Sequence, residues 1–283
     1  MNTFIVAELG INHNGDMDVA RQMILRAHAA GADAAKVQNY RAVECAPDKA
    51  RMWTWTRADG QKVAEPLQDL LARYELKPGA LAELTQYAGH AGIELFSTPS
   101  SLDGIKECVD CGHKRIKIGS SDIRYLDLIS TASDTGLPCI ISTGGAAYDE
   151  IVAAYEVFNA PDRLTLCVCT SDYPTALENC HVRRVAALQG LHYDWENCKS
   201  FDSAVGYSSH YPYWLDAFVA VSLGATYIEK HVTMDILGDG PDHIWSADLS
   251  SLGRAVREIR NIELALGSPD LVPRETAVNA TNP

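Results

Sequence analysis

The feature that most limits what this chain can fold into is a rhythm. Short apolar runs alternate with longer stretches of helical periodicity, eight times over the chain. The spacing predicts strands at Phe4–Glu8, Ala34–Gln38, Glu94–Ser97, Arg115–Gly119, Pro138–Ser142, Leu164–Cys169, Ala204–Tyr207 and Tyr227–His231. It predicts helices near Met17–Ala30, Lys77–Ala91, Leu102–Cys111, Leu126–Thr135, Tyr148–Phe158, His181–Leu188, Trp214–Leu223 and Leu252–Gly267. Strict alternation implies an α/β fold with a parallel sheet covered by helices. Eight unbroken repeats favour closure into a (β/α)8 TIM barrel, with a doubly wound open sheet as the alternative. The chain of 283 residues suits one such domain, expected over residues 1–267, with a polar, proline-containing tail at 268–283.

Two connections break the rhythm. The stretch from about Asn39 to Pro66 reads as a long loop carrying Trp53, Trp55 and several charges. The run from Asp235 to Asp242 is rich in turn formers. Long loops in compact domains are usually functional or disordered. Both follow the C-terminal ends of strands, the face on which barrels keep their chemistry.

The strands themselves end in polar groups where a core strand should be apolar. Glu8, Lys36, Gln38, Ser97, Thr98, Lys117, Ser120, Ser142, Thr143, Thr170, Ser171, Ser208, His210, Glu229 and His231 all lie at or just beyond strand ends. The two-residue period of a strand puts Lys36 and Gln38 on one face and Ala35 and Val37 on the other. It likewise sets Glu229 and His231 opposite Ile228 and Lys230. In a barrel, one face of each strand points inward, so these groups converge on one end. A buried charge needs a partner or a ligand. Lys36 and Lys117 in a barrel mouth, with hydroxyls from Thr98, Ser120, Ser142 and Ser208, suit a phosphate and a carboxylate.

Charge sharpens that reading. The formal net charge of −13 disfavours nucleic acid and anionic membrane as partners, so an anionic ligand needs a local cationic pocket. No apolar run reaches membrane-span length, and no basic segment precedes the first apolar run, so a cytoplasmic protein is expected. The eight cysteines then read as reduced thiols, mostly small buried hydrophobes; Cys108 and Cys111 have a metal or redox spacing but no second such pair. His210 and His231 end adjacent predicted strands and can approach one metal ion, leaving open positions for substrate oxygens. His13 could reach the same mouth, whereas His28, His90 and His192 read as surface or packing residues.

The motifs taken together resemble the sialic acid synthase family, also called N-acetylneuraminate synthases. They are Ala7-Glu8-Leu9-Gly10-Ile11-Asn12-His13-Asn14-Gly15, Gly31-Ala-Asp-Ala-Ala-Lys36-Val-Gln38, Phe96-Ser-Thr-Pro99, Ile116-Lys117-Ile-Gly-Ser120, Ile141-Ser142-Thr-Gly144, Cys169-Thr-Ser-Asp-Tyr173-Pro174, Ile228-Glu-Lys-His231 and Gly240-Pro241-Asp242. The resemblance implies a barrel enzyme that condenses phosphoenolpyruvate with an N-acetylmannosamine-like aldose, giving an α-keto acid and phosphate. It implies that Lys36, Thr98, Lys117, Ser120, Ser142, Ser171 and Ser208 hold phosphoenolpyruvate. It implies that His210 and His231 hold Mn²⁺ or Mg²⁺, and that Glu8, Gln38, Asp122, Tyr173 and Asp242 serve the sugar, the metal region and proton transfer. A homodimer is implied as well.

Three departures from the family pattern matter. Asp122 stands where the family usually has Glu, which withdraws the carboxylate by about 1.5 Å. Ser209-His210 replaces an Asp-His pair, which is expected to remove a charge near the metal. The sequence stops where the family's antifreeze-like domain would begin, so a different aldose, or a lid from another protein, is expected. Two alternatives stay open at this level: the same chemistry on another aldose, and a non-catalytic barrel that binds metal or phosphate.

Overall fold

The computed structural model describes residues 2–190 and 201–268. His192, Cys198 and the expected tail beyond Ser268 lie outside the described residues. In chain order the elements are β1 (Phe4–Gly10), α1 (Met17–Ala29), β2 (Ala34–Asn39), α2 (Ala42–Cys45), β3 (Met52–Thr56), β4 (Lys62–Pro66), α3 (Leu67–Tyr74), α4 (Ala80–Ala91) and β5 (Glu94–Pro99). They continue with α5 (Leu102–Asp110), β6 (Ile116–Ile118), α6 (Leu126–Asp134), β7 (Cys139–Ser142), α7 (Tyr148–Phe158) and β8 (Leu164–Cys169). The last are α8 (Arg184–Leu188), β9 (Ala204–Ser209), α9 (Leu215–Ser222), β10 (Tyr227–Thr233), β11 (Ala247–Asp248) and α10 (Leu249–Leu266).

The sheet runs β1-β2-β5-β6-β7-β8-β9-β10, and β1 also pairs with β10. Phe4 lies opposite Tyr227 and Glu8 opposite His231 in that closing pair, which is parallel like the others around the ring. This is a closed eight-stranded parallel barrel, as the alternation predicts, and not the open sheet.

The two faces of each strand meet different surroundings. Ile5, Ala7, Leu9, Ala35, Val37, Ile116, Ile118, Ile141, Leu166, Val168, Val205, Ile228 and Val232 point outward and pack with Met23, Leu84, Ile129 and Ile259 of the helices. Val6, Ala34, Phe96, Ile140, Cys167 and Tyr227 form a separate cluster inside the barrel, at its lower level. Gly206 has no side chain because Tyr227 needs the space: a Cβ there would lie 2.9 Å from that of Tyr227. Arg115 precedes β6, pairs with Glu94 at 2.6 Å, and sits 4.0 Å over the Phe4 ring at the N-terminal end of the barrel.

The stretch 39–66 is not the long loop the sequence suggests. It folds as α2 and the antiparallel hairpin β3–β4, in which Trp53 faces Glu65 and Trp55 faces Val63. Trp55 supplies much of the reason: it is buried with Ile11, Tyr40, Leu70 and Tyr74 in a small core of its own. Arg57 ties this hairpin to the 235–242 segment through Asp239 at 3.2 Å. Helix starts follow local chemistry, with Asp16 accepting from the backbone of Asp18 and Val19 ahead of α1. Among the described residues, no helix is long and apolar enough to cross a membrane.

Candidate active site

Alternation carries each inward strand position from an apolar level to a polar one, two residues on. Val6 is followed by Glu8, Ala34 by Lys36, Ile140 by Ser142, and Tyr227 by Glu229 and then His231. Register brings these together from strands remote in sequence. Lys36 and His231 both lie opposite Glu8, while Glu229 lies opposite Ser208.

The charges at this upper level satisfy one another. The Lys36 ammonium lies 2.6 Å from Glu8 Oε2 and donates to Thr98 Oγ1 at 2.6 Å. Lys117 donates to both oxygens of Glu229, at 3.0 and 2.8 Å. Glu229 also accepts from the hydroxyls of Ser208 (3.1 Å) and Tyr227 (2.6 Å). Gln38 donates to the other oxygen of Glu8 at 3.2 Å. Glu8, Lys36, Lys117, Ser208 and Glu229 are all buried.

Burial opposes every charge here, and the partners decide the outcome. For Glu229, burial pushes upward, but Lys117 and Lys36 outweigh it and hold the carboxyl well below the usual carboxylate range. Burial pushes the Lys117 ammonium down, yet Glu229 leaves it above the ordinary lysine range. Glu8 ends raised, because its own burial outweighs the attraction of Lys36. Asp122, in the short turn Ser120–Asp122 after β6, is also raised by burial.

Next to this cluster stands a group of rings. The His210 and His231 centroids are 5.6 Å apart, and Trp245 lies 5.6 Å from the first and 4.5 Å from the second. Tyr173, half exposed at the rim, packs on His210 at 4.2 Å. The Nδ1 of His210 lies 2.7 Å from the carbonyl oxygen of Thr170. A carbonyl only accepts, so Nδ1 carries the hydrogen and Nε2 keeps a free lone pair. Burial brings the imidazole of His210 down to about 4. Burial, with His210 beside it, pushes His231 well below its ordinary value. Both rings are therefore neutral. The Nδ1 of His231 is buried without a hydrogen-bond partner and lies 3.7 Å from Asp242 Oδ2. Burial and the nearby Glu8 carboxylate raise Asp242 to about 7.

These features fit a divalent ion in one respect: two neutral imidazoles stand side by side, one of them oriented by a carbonyl in the way metal-binding histidines usually are. Among the described residues, no three His, Cys, Asp or Glu side chains converge as a ready-made metal group. An ion held here would take its protein donors from the histidine pair, with substrate or water oxygens to complete its shell.

The remaining predicted residues form a second wall. The backbone N–H of Gly144 donates to Ser120 Oγ at 3.1 Å. A Cβ on Gly144 would come within 2.7 Å of that oxygen and 2.4 Å of Ser171 Oγ, so a glycine opens the space between the two hydroxyls. Ser142 is buried at the end of β7.

Two expectations are corrected. Position 209 does not face the histidines. Ser209 Oγ donates to Asp216 at 2.6 Å on the outer side of the strand, because alternation turns residue 209 toward α9 when Ser208 turns inward. His13 is held by its own loop, its Nδ1 accepting from Gly15 at 3.0 Å. Two residues of the site receive no role from sequence reasoning. Glu229 shares the motif with His231 and the inward face with Lys117, but only register shows that it is the lysine's partner. Trp245 has no periodic signal, since it lies in an irregular turn after the 235–242 segment.

A family model described as NeuB matches residues 23–270. The chain belongs to the NeuB family. It is 34% identical to the N,N'-diacetyllegionaminic acid synthase of Legionella pneumophila, over 97% of this chain and 76% of that one. It is 33% identical to human N-acetylneuraminate-9-phosphate synthase, over 98% of this chain and 75% of that one. Among solved structures, the N-acetylneuraminic acid synthetase of Leptospira borgpetersenii superimposes with a TM-score of 0.86 at 28% identity, covering 98% of this chain and 89% of that one. Membership of the NeuB family makes the chain an enzyme of the sugar-acid synthase kind and sets aside the non-catalytic barrel.

Proposed function

We propose that this enzyme condenses phosphoenolpyruvate with an aldose and releases phosphate, giving a sialic-acid-like 3-deoxy-2-ulosonic acid. The observation that carries the reading is the pair of buried lysines, Lys36 and Lys117, inside the barrel among the hydroxyls of Thr98, Ser142 and Ser208. Two ammonium groups in an acidic protein suit a small substrate that bears both a phosphate and a carboxylate. The named products of the relatives, all sugar acids, support the same class of reaction.

Lys36, Lys117, Thr98, Ser120, Ser142, Ser171 and Ser208 hold the phosphoenolpyruvate, with Ser120 and Ser171 on either side of the space that Gly144 leaves. Gln38 and Tyr173 face the sugar. The enol carbon bonds to the aldehyde carbon, positive charge develops at the carbon bearing phosphate, water adds there, and the C–O bond to phosphate breaks. Glu8, Asp122 and Asp242 are the carboxyl groups available to take the proton of that water and to return one to the new alkoxide. His210 and His231 would hold Mn²⁺ or Mg²⁺, which supplies Lewis-acid polarisation of the aldehyde oxygen. The lysines fix the orientation in which the two substrates meet. The enzyme is read as a cytoplasmic homodimer, in line with the family resemblance.

The test is phosphate release from phosphoenolpyruvate with Mn²⁺ or Mg²⁺ and a panel of aldoses that includes N-acetylmannosamine. Release with N-acetylmannosamine identifies the acceptor. Release with a different aldose alone keeps the chemistry and shifts the acceptor. No release with any aldose overturns the reading.

A further inference from the structure

Behind the histidine pair, on the helix side of the strands, lies a polar group that the proposed chemistry does not use. Lys230, Ser209, Asp216 and Tyr207 are each buried. An amphiphilic lysine and an aspartate so far from water need a structural account.

The connections are specific. The Lys230 ammonium donates to Ser209 Oγ at 2.8 Å, and Ser209 lies opposite it in the β9–β10 register. It also donates to the backbone carbonyl of Tyr211. Ser209 passes its own hydrogen to Asp216 Oδ2 at 2.6 Å, where Tyr207 also donates at 3.1 Å. The other Asp216 oxygen accepts from the Ala217 backbone at 2.8 Å, near the start of α9. Trp214 packs its ring 6.0 Å from the ammonium.

The residues that Lys230 grips are 209 and 211, the two neighbours of His210. Lys230 is itself the residue before His231. We infer that Lys230, with Ser209 and Asp216, is a positioning device that sets the His210 backbone relative to His231 and so fixes the distance between the two imidazoles. Strand alternation makes this possible. Lys230 points outward where His231 points inward, so one short piece of β10 carries one ring and anchors the other.

The grip acts where β9 ends at Ser209, and among the described residues the strand register does not extend to residue 210. His210 is otherwise fixed by its carbonyl, which accepts from Thr175 at 3.0 Å, and by its ring on Thr170. Both of those contacts come from the loop after β8. Lys230 supplies the only one of these restraints that comes from the strand bearing His231. A hydrophobic side chain could fill the same volume, but it could not hold the Tyr211 carbonyl.

This inference rests on the metal reading of the histidine pair, and its test separates the two. The variants are Lys230→Met, which keeps the chain length and removes the donors, and Ser209→Ala, which removes one hydroxyl and serves if the first does not fold. Two readouts are taken on the metal-free protein: the ¹⁵N spectrum of the histidine rings, which reports the tautomer, and titration with Mn²⁺ alone. In the wild type, His210 should show a single Nδ1–H tautomer. Lys230→Met should mix its tautomers and weaken Mn²⁺ binding by about tenfold, the usual scale for loss of an outer partner. Ser209→Ala should do the same to a lesser degree. Phosphoenolpyruvate affinity, measured alongside, should stay within about twofold; a general loss of folding would move it too. Unchanged tautomer and unchanged Mn²⁺ affinity in both variants would overturn the inference. A wild type that binds no Mn²⁺ but shows the tautomer change on substitution would overturn the metal reading and keep the positioning role.

Discussion

The inside of this barrel holds two levels that differ by a single strand repeat. The lower, of Val6, Ala34, Phe96, Ile140, Cys167 and Tyr227, is a buried apolar plug. The upper, of Glu8, Lys36, Lys117, Ser208 and Glu229, is equally buried and built of charges and hydroxyls. The same strands, two residues apart, thus carry both a core and a site. The lower level is stabilised by removing carbon from water, in any arrangement that fills the volume. The upper level depends on pairing: each charge there is tolerated because its counter-charge stands within hydrogen-bond distance.

The contrast can be broken in several ways. The largest effect is expected for Lys117→Met. It leaves Glu229 buried without its main partner, at a cost of about 3–5 kcal/mol of stability, and turnover should fall to background. Adding Glu229→Gln should restore much of the stability, measured by urea unfolding, and none of the activity. If the single variant is as stable as the wild type, the pairing account is wrong.

At the same level, His210→Ala and His231→Ala should reduce metal-dependent turnover by roughly 10²–10³-fold, several kcal/mol of lost stabilisation, while unfolding at nearly the wild-type midpoint. Full turnover without added metal in either variant would remove the histidines from the site. One level down, Ile140→Ala should do the opposite. It should cost about 2–4 kcal/mol of stability and leave kcat/KM per folded molecule nearly unchanged. A large loss of kcat/KM would mean that the plug also sets the site's geometry.

The smallest effect sharpens the comparison from outside the barrel. His113 is buried, shares a hydrogen bond with Thr85 at 3.0 Å, and is brought by burial from 6.5 to about 4. Here there is no counter-charge at all, only desolvation. The unfolded chain therefore binds the proton more readily, and stability falls as pH drops from 6.5 toward 4. At pH 5 this contributes roughly 2 kcal/mol of destabilisation. His113→Gln should flatten the acid limb of the stability profile by that amount, and an unchanged limb would show that the ring titrates normally.

Much of this was legible in the sequence. Alternation of period 2 and period 3.6 fixes the count and order of the barrel strands, because a parallel neighbour can be reached only through a crossover. It also places Lys36 with Gln38, and Glu229 with His231, on inward faces. The motifs that resemble the sialic acid synthases gave the candidate residues, and the structure brings Glu8, Gln38, Lys36, Thr98, Lys117 and Ser208 into one connected cluster beside the histidine pair.

Other features were decided only by the tertiary structure. The hairpin at residues 52–66 reads as a loop from sequence, since its alternation is short and mixed with charge, and what stabilises it is the burial of Trp55 against Ile11, Tyr40, Leu70 and Tyr74 from elsewhere in the chain. The pairing of Lys117 with Glu229 joins residues 112 positions apart, and the Lys230 grip on both neighbours of His210 depends on the β9–β10 register. Which residues share a side is set by the covalent period of their own strand, so the sequence alone determines it. The group each one meets there is set by closure of the ring and by register, which are properties of all eight strands packed together.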